Sequence, residues 1–368
     1  MKLRVVTARE LADPGDALWR LTPPVISPER AVSQLHNPFC AADDAVLVLA
    51  WEGERTLAYL GLLPDRIRLD GETLKVWWTT TWWADGVGGG GLAGLVVLTE
   101  ALRHTQGRLL ANEVGPEAAP VMRASGLMRP FATRTAWSLR GVADPCHFLT
   151  GVWRRHLQVR ALCRLLQEPP QWLWQARLGA WCRDRDPPEG LRAEVVATLD
   201  TQARAFVETH RHAAALSLRG AESLEWMARF PWCLPDPWAW GDASGYHFAV
   251  RSPRYGMLPL VCRRPNGELA AVLLLRLRHR DVRVPCLFAP PGEMDAVARL
   301  LVCSLRLLGA RTLTTSREDL RESLRRQSAP ALSWSHWERV FYAGPALFPA
   351  LSAGQWSLQD GDGDHAFS

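Results

Sequence analysis

The sequence predicts a tandem α/β protein in which each of two units is a mixed, mainly antiparallel sheet flanked by helices. Three observations lead there. Apolar, β-rich runs broken by short turn signals fill residues 45–84, an amphipathic helix pattern follows a glycine-rich stretch, and the same order of elements recurs from about residue 192. A length of 368 residues accommodates two units of ordinary domain size, and 48% hydrophobic with 22% charged residues describes a chain that buries a sizeable core.

The first unit opens with "LRVVTARE", a short strand, and "SPERAVSQLHNPFC", a helix that starts on Ser27 and Pro28 and stops near Asn37-Pro38. The run from Ala45 to Ala84 is built of apolar, β-rich stretches with "EGER", "PD" and "LDGE" as turn signals, and three antiparallel strands are expected from it. "LAGLVVLTEALRHTQG" places Leu92, Leu95, Val96, Leu98 and Leu102 on one helical face and ends in Gly107. "RLLANEV" reads as a strand, "GPEAAPVMRASG" as a helix closed by Gly126, and "TRTAWSLR" as the last strand.

From residue 192 the pattern repeats. "AEVVATLD" stands for the opening strand and "SLEWMARFPW" for the first helix. Three strands follow in "YGMLPLVCRRPNGELAAVLLLRLRHRDVRVPCLFAPPG", with Asn266-Gly267 as a hairpin turn. "EMDAVARLLVCSLRLLG" is then a helix ending at Gly309, "ARTLTTS" a strand, "REDLRESLRRQ" a helix and "WERVFYAG" a strand. Between the units, "FLTGVWRRHLQVRALCRLLQ" and "PPQWLWQARLGAWCRDRDPPEG" are Trp- and Arg-bearing helical stretches bounded by Pro169-Pro170 and Pro187-Pro188. The expected division is residues 1–144, a connector at 145–191 that packs between the units or contacts RNA or a membrane surface, and 192–368 with an acidic tail.

A formal charge of +5 suits anionic ligands such as nucleotides, coenzyme A, acyl-carrier protein or RNA. Eight cysteines without a Cys-x-x-Cys pair signal neither zinc nor a disulfide framework, so reduced, mostly buried thiols are expected. The opening residues lack the apolar core of a signal peptide, and no uncharged run reaches the roughly 20 residues of a membrane span, which points to the cytoplasm.

"WWADGVGGGGLAG", Trp82 to Gly94, is the most specific stretch. Small residues between a buried strand and a helix start leave backbone N–H groups unpaired and pointing one way, which favours a bound anion; a tight strand-to-helix connection is the alternative. A P-loop would end in Gly-Lys-Ser/Thr, and a dinucleotide fold would need a βαβ start rather than a fourth strand of an antiparallel run. Neither fits. The second unit has "APPGEMDAVA" in this place, where prolines remove N–H groups and Glu293 and Asp295 oppose an anion.

Placed after the fourth strand, the stretch resembles the acyl-CoA-binding segment of the GNAT superfamily of N-acyltransferases, Gln/Arg-x-x-Gly-x-Gly/Ala, with matches at Gly91 and Ala93 and Gly88 where Gln or Arg is usual. "AAPVMRASGLMRP" resembles the family's later helix, with Met122 where many members have a thiolate-protonating tyrosine. Methionine cannot donate that proton. The resemblance covers about residues 3–140 in motifs and 192–345 in element order only.

The resemblance implies that Val87, Gly88, Gly89, Gly90, Gly91, Leu92 and Ala93 hold acetyl-CoA or another acyl-CoA as co-substrate. It also implies that a backbone N–H among Thr81, Trp82 and Trp83 contacts the thioester carbonyl. Candidate general bases are Glu113, at the end of the fifth strand, and His36, in the helix-to-loop segment on the acceptor side. Asp85 is expected to cap the turn. Trp77, Trp78, Trp82 and Trp83 must present indoles to both faces of their strand.

Asp360, Asp362 and Asp364 resemble the start of a calcium loop without its glycine and distal glutamate, so a solvated or docked tail is expected and no metal. The implied function is N-acyl transfer from acyl-CoA, or acyl-carrier protein, to a small amine acceptor, with polysaccharide or secondary-metabolite synthesis as the setting. The alternatives are an aminoacyl-tRNA-dependent transferase of the Fem type, with tRNA as partner, and a non-catalytic binding or scaffold protein.

Overall fold

The computed structural model describes residues 1–86, 90–112, 114–115, 118–141, 172–183, 191–212, 215–237, 245–329, 333–364 and 367. Strand β1 (Lys2–Thr7) ends in a capping box, in which Thr7 accepts the Glu10 N–H and Glu10 returns to Thr7, and this starts the one-turn helix α1 (Ala8–Leu11). Helix α2 (Pro28–Leu35) begins on Ser27, whose hydroxyl accepts the Arg30 N–H, with Pro28 in the first turn. Strands β2 (Ala45–Glu52), β3 (Arg55–Leu69) and β4 (Glu72–Ala84) form an antiparallel meander. Helix α3 (Gly90–His104) stops at Gly107, which takes φ 75° and returns its N–H to Leu102 O at 2.7 Å. Strand β5 (Leu109–Asn112), helix α4 (Ala118–Ser125) and strand β6 (Arg129–Arg140) complete the first half.

Of the connector, the described part is helix α5 at 172–183; its first stretch lies outside the described residues. Then come β7 (Arg192–Val195), α6 (Thr201–Thr209), α7 (Ala221–Arg229), the short pair β8 (Leu234–Pro235) and β9 (Arg251–Ser252), and the meander β10 (Tyr255–Arg263), β11 (Leu269–Arg278) and β12 (Asp281–Phe288). Helix α8 (Met294–Leu307), β13 (Thr312–Thr315), α9 (Glu318–Arg326), β14 (Ser333–Ala343) and α10 (Phe348–Ala353) follow. Helix α6 is not foreseen by the sequence reading. Asp200 caps it, accepting the Ala203 N–H at 2.7 Å, but only Ala203 and Val207 are buried, too few to show a helical period.

The main strands join in one sheet of order β1-β2-β3-β4-β5-β14-β6-β13-β12-β11-β10-β7. The order reads the same from both ends, except that the last strands of the halves have changed places. Strand β14 enters between β5 and β6, while β6 pairs with β13. This exchange explains why β6 starts at Arg129, ahead of the expected "TRTAWSLR": its added residues pair with the far end of β14. Trp334 and Val340 project from the same side of β14, one against the α8 core and the other against the α3 core, so both helices lie on one face of the sheet.

On the opposite face, α2, α6 and α7 pack over a buried ion pair. Asp65 on β3 is fully buried and accepts from Trp78 Nε1 (2.9 Å), Ser217 Oγ (3.1 Å) and Arg219 Nε (3.1 Å); Arg219 also donates to Gly361 O. The two halves and the C-terminal tail thus meet on one carboxylate. In the tail, Asp360 accepts from Ser316 and Arg339, and Asp362 from the Gln359 N–H. These acids are docked singly onto the protein. Burial pushes the Asp362 carboxyl up to about 7.

No described helix is long and apolar enough to cross a membrane. Removing Arg219 would leave Asp65 charged and unpaired in the core, so Arg219→Met should cost about 3–5 kcal/mol in urea unfolding, and Arg219→Met with Asp65→Asn distinctly less. Equal losses in the single and double variants would show that the pair does not couple the halves.

Candidate functional site

Strands β4 and β5 are hydrogen-bonded in parallel only at Trp77↔Leu109 and Trp78↔Leu110. Beyond Trp78 they part. Strand β4 stays on β3 and carries a bulge: Gly61 faces Thr80 and Leu60 faces Trp82, so Thr81 is left over, at φ 24°. Glycine is required opposite the bulge, because a Cβ at Gly61 would lie 2.2 Å from Thr80 Oγ1 and 2.7 Å from Thr81 Oγ1.

The extra residue changes where the tryptophans point. Four positions apart, Trp78 and Trp82 would share a face on a regular strand, yet Trp78 lies in the core under α7 and Trp82 in the core under α3. Trp82 Nε1 donates to Gly94 O at 3.2 Å, and a Cβ at Gly94 would be 3.2 Å from Ala84 Cβ, so the first turn of α3 is held against the end of β4. Trp83 turns to the other face, stacking on Tyr59 (5.5 Å) and His247 (4.2 Å).

The expected anion cradle therefore lies beside the mouth of the splay. Gly90 begins α3, Gly91 and Leu92 are exposed, and Ala93 is buried. A Cβ at Gly91 would meet nothing within 4 Å. The first-turn N–H groups of this 15-residue helix have no partner within the helix, and its dipole adds positive potential there. Val87, Gly88 and Gly89 lie outside the described residues. Asp85 pairs with Arg55, which offsets its charge next to the cradle.

Of the candidate bases, Glu113 lies outside the described residues, directly after Asn112 at the end of β5. Asn112 itself is buried; its Nδ2 donates to Asp362 O at 2.5 Å and its Oδ1 has no hydrogen-bond partner among the described residues. His36 ends α2, stacks on Phe230 at 4.1 Å and has Nδ1 on Val32 O. Its neighbour Asn37 bonds to Pro64 O, opposite Trp77, four residues or about 13 Å down β4 from Thr81. The structure does not bring His36 to the bulge. Met122 is buried in the α3 core.

The structure also brings to the bulge residues that the sequence reading did not select. Arg30, Tyr59, Tyr246, His247 and Phe248 gather on the α2 face beside Trp83. Desolvation lowers the His247 pKa from its ordinary value, which favours the neutral ring. No motif surrounds "YHF" at 246–248; only the fold brings it to Tyr59.

The second half has its own splay, and it is filled. Strand β12 leaves β13 after Arg283↔Thr314. The tail then bonds to its free edge: Gly361 N–H to Pro285 O (2.7 Å) and Gln359 Oε1 to the Leu287 N–H (3.0 Å). Leu287 is four residues past the last ladder pair, as Trp82 is in β4. The Gln359 amide carbonyl thus sits at the position of β12 that corresponds to Trp82 in β4. At the head of α8, Glu293 pairs with Arg264 and Asp295 with Arg326.

Gly61→Ala should collide with both threonine hydroxyls, costing about 1–3 kcal/mol in unfolding and displacing the bulge. Ligand affinity at the splay should fall with it. An unchanged urea midpoint and unchanged affinity would show that the bulge does not depend on this glycine.

No protein-family profile and no curated protein matches the chain in sequence. Solved structures do match. The yeast (Saccharomyces cerevisiae) N-myristoyltransferase with bound myristoyl-CoA aligns with a TM-score of 0.51 at 10% identity, over 93% of this chain and 82% of that one. A probable N-acyltransferase from Enterococcus faecalis V583 aligns with 0.50 at 9%, over 92% and 72%. A GCN5-related N-acetyltransferase from Kribbella flavida gives 0.49 at 12%, over 96% and 72%. The first two extend over nearly the whole chain and across both halves of its sheet. With the bulged fourth strand, its parting from the fifth and the helix that starts at the opening, the chain has the fold of these two N-acyltransferase structures.

Proposed function

We propose that the protein transfers an acyl group from acyl-CoA to the amine of a small acceptor, at the β4–β5 splay of its first unit, residues 1–144. The observation that carries this reading is the contrast between the splays. Among the described residues, the first has a bulged strand edge and an exposed helix start, whereas the second is occupied by Gln359 and Gly361 and has paired carboxylates at its helix.

The thioester carbonyl would accept a backbone N–H at Thr81, Trp82 or Trp83, and the pyrophosphate would lie on the first turn of α3 at Gly90 to Ala93, with Val87, Gly88 and Gly89 preceding it in the sequence. The acceptor nitrogen attacks the carbonyl carbon, the C–S bond breaks, the nitrogen gives up a proton and the CoA thiolate takes one up. Glu113, by its place at the end of β5, and His247, by its stacking on Trp83, are the proposed proton acceptors. With Met122 in the core, the thiolate draws its proton from solvent. The second unit, 192–368, supports the first by lending it β14.

The test is titration with CoA and acetyl-CoA, followed by thiol release in the presence of amines. Gly91→Glu puts a carboxylate into open space at a helix start, where it is compatible with folding and opposes the pyrophosphate. Its unfolding free energy should stay within about 0.5 kcal/mol of wild type while CoA affinity falls about tenfold or more. Absence of CoA binding by the wild type, or equal binding by Gly91→Glu, would remove this reading.

A further inference from the structure

On the α2 side of the bulge a cation is buried without an anionic partner among the described residues. Arg30 is 7% exposed, and its guanidinium lies 4.4 Å over the Trp232 ring, with Phe248 at 5.3 Å and Tyr246 at 5.7 Å. Its Nε and Nη1 have no hydrogen-bond partner among the described residues. The neighbouring acid on α2, Glu29, pairs with Arg251 at 2.8 Å. Tyr59, also against Tyr246 (6.2 Å), is fully buried, and its hydroxyl has no hydrogen-bond partner among the described residues.

Aromatic faces attract a guanidinium but leave its in-plane N–H donors unmet. Buried donors of this kind are ordinarily satisfied, and two residues with unmet donors beside one ring mark a place for an acceptor group. One guanidinium balances one negative charge. A carboxylate suits it, whereas a phosphate dianion would retain uncompensated charge among aromatic rings.

We propose that Arg30 and Tyr59 receive the carboxylate of the acyl acceptor, which is therefore a free amino acid. The inference rests on the acyl-transfer reading above. Tyr59 faces Trp83 across the ladder, and Thr81 lies two residues earlier, about 7 Å along β4. A free amino acid carries its amine two bonds from the carboxyl carbon, so a carboxylate held beside Tyr59 keeps the amine in the same neighbourhood of the bulge. The neighbouring rings of Trp83, Tyr246 and Phe248 favour an apolar or aromatic side chain on the acceptor.

The experiment measures thiol release from acetyl-CoA and palmitoyl-CoA with the common amino acids and the carboxamide of each, alongside CoA binding by titration. The expected result is a KM about 10–100-fold higher for a carboxamide than for its amino acid. Arg30→Met should raise the amino-acid KM by a similar factor, with partial rescue in Arg30→Lys, raise the carboxamide KM distinctly less, and leave CoA affinity unchanged. Tyr59→Phe keeps the ring and removes only the hydroxyl, so it carries the test if Arg30→Met fails to fold. Equal use of acids and carboxamides, or equal effects of the variants on both, would overturn the carboxylate assignment while CoA binding preserved the acyl-transfer reading. Absence of both CoA binding and thiol release in the wild type would overturn the two together.

Discussion

Everything at the candidate site depends on the pairing of β14 with β5. Strand β5 has four residues and keeps β4 for only two of them, so one side of it is largely unpaired where the strands part. Its other side is taken by Phe341, Tyr342 and Ala343, which arrive from the end of the chain and bond to Asn112, Ala111 and Leu110. Without that ladder, a short central strand would have too few hydrogen bonds to hold the opening in place. The first half thus obtains a rigid wall from the second. In return it supplies β6 to pair with β13.

The buried Asp65–Arg219 pair acts in the same direction on the neighbouring strands. Asp65 belongs to β3, Trp78 to the last ladder pair of β4, and Arg219 to the segment before α7, so one carboxylate fixes the position from which β4 diverges. Arg219 also holds the tail at Gly361, and the tail plugs the second splay and reaches Asn112 through Asp362. A single segment at the end of the chain thereby fills one opening and borders the other. This accounts physically for the asymmetry between two halves that share an order of strands.

What could be read in the sequence was local. Gly107, Gly126 and Gly309 all take positive φ where helices were expected to stop, and Gly267 does so in the expected hairpin turn. The requirement that paired tryptophans reach both faces of β4 was also legible, although its cause, the leftover Thr81, depends on a glycine in another strand. The exchange of β6 and β14 was not legible, because either strand satisfies its alternation equally well beside its own half. Nor was the Arg30 cluster. Its partners Trp232, Tyr246 and Phe248 lie some two hundred residues away and become neighbours only when α2 and the 245–250 segment cover the same face.

The central claim is that the two splays differ, one able to take a thioester and the other sealed by the protein's own tail. A crystal structure of the chain with CoA tests it most directly. The account predicts one CoA per chain, with its pantetheine arm between β4 and β5, its pyrophosphate at Gly90 to Ala93, and Gln359 still bonded to Leu287 in the second splay. CoA between β12 and β13, with the tail displaced, would contradict it.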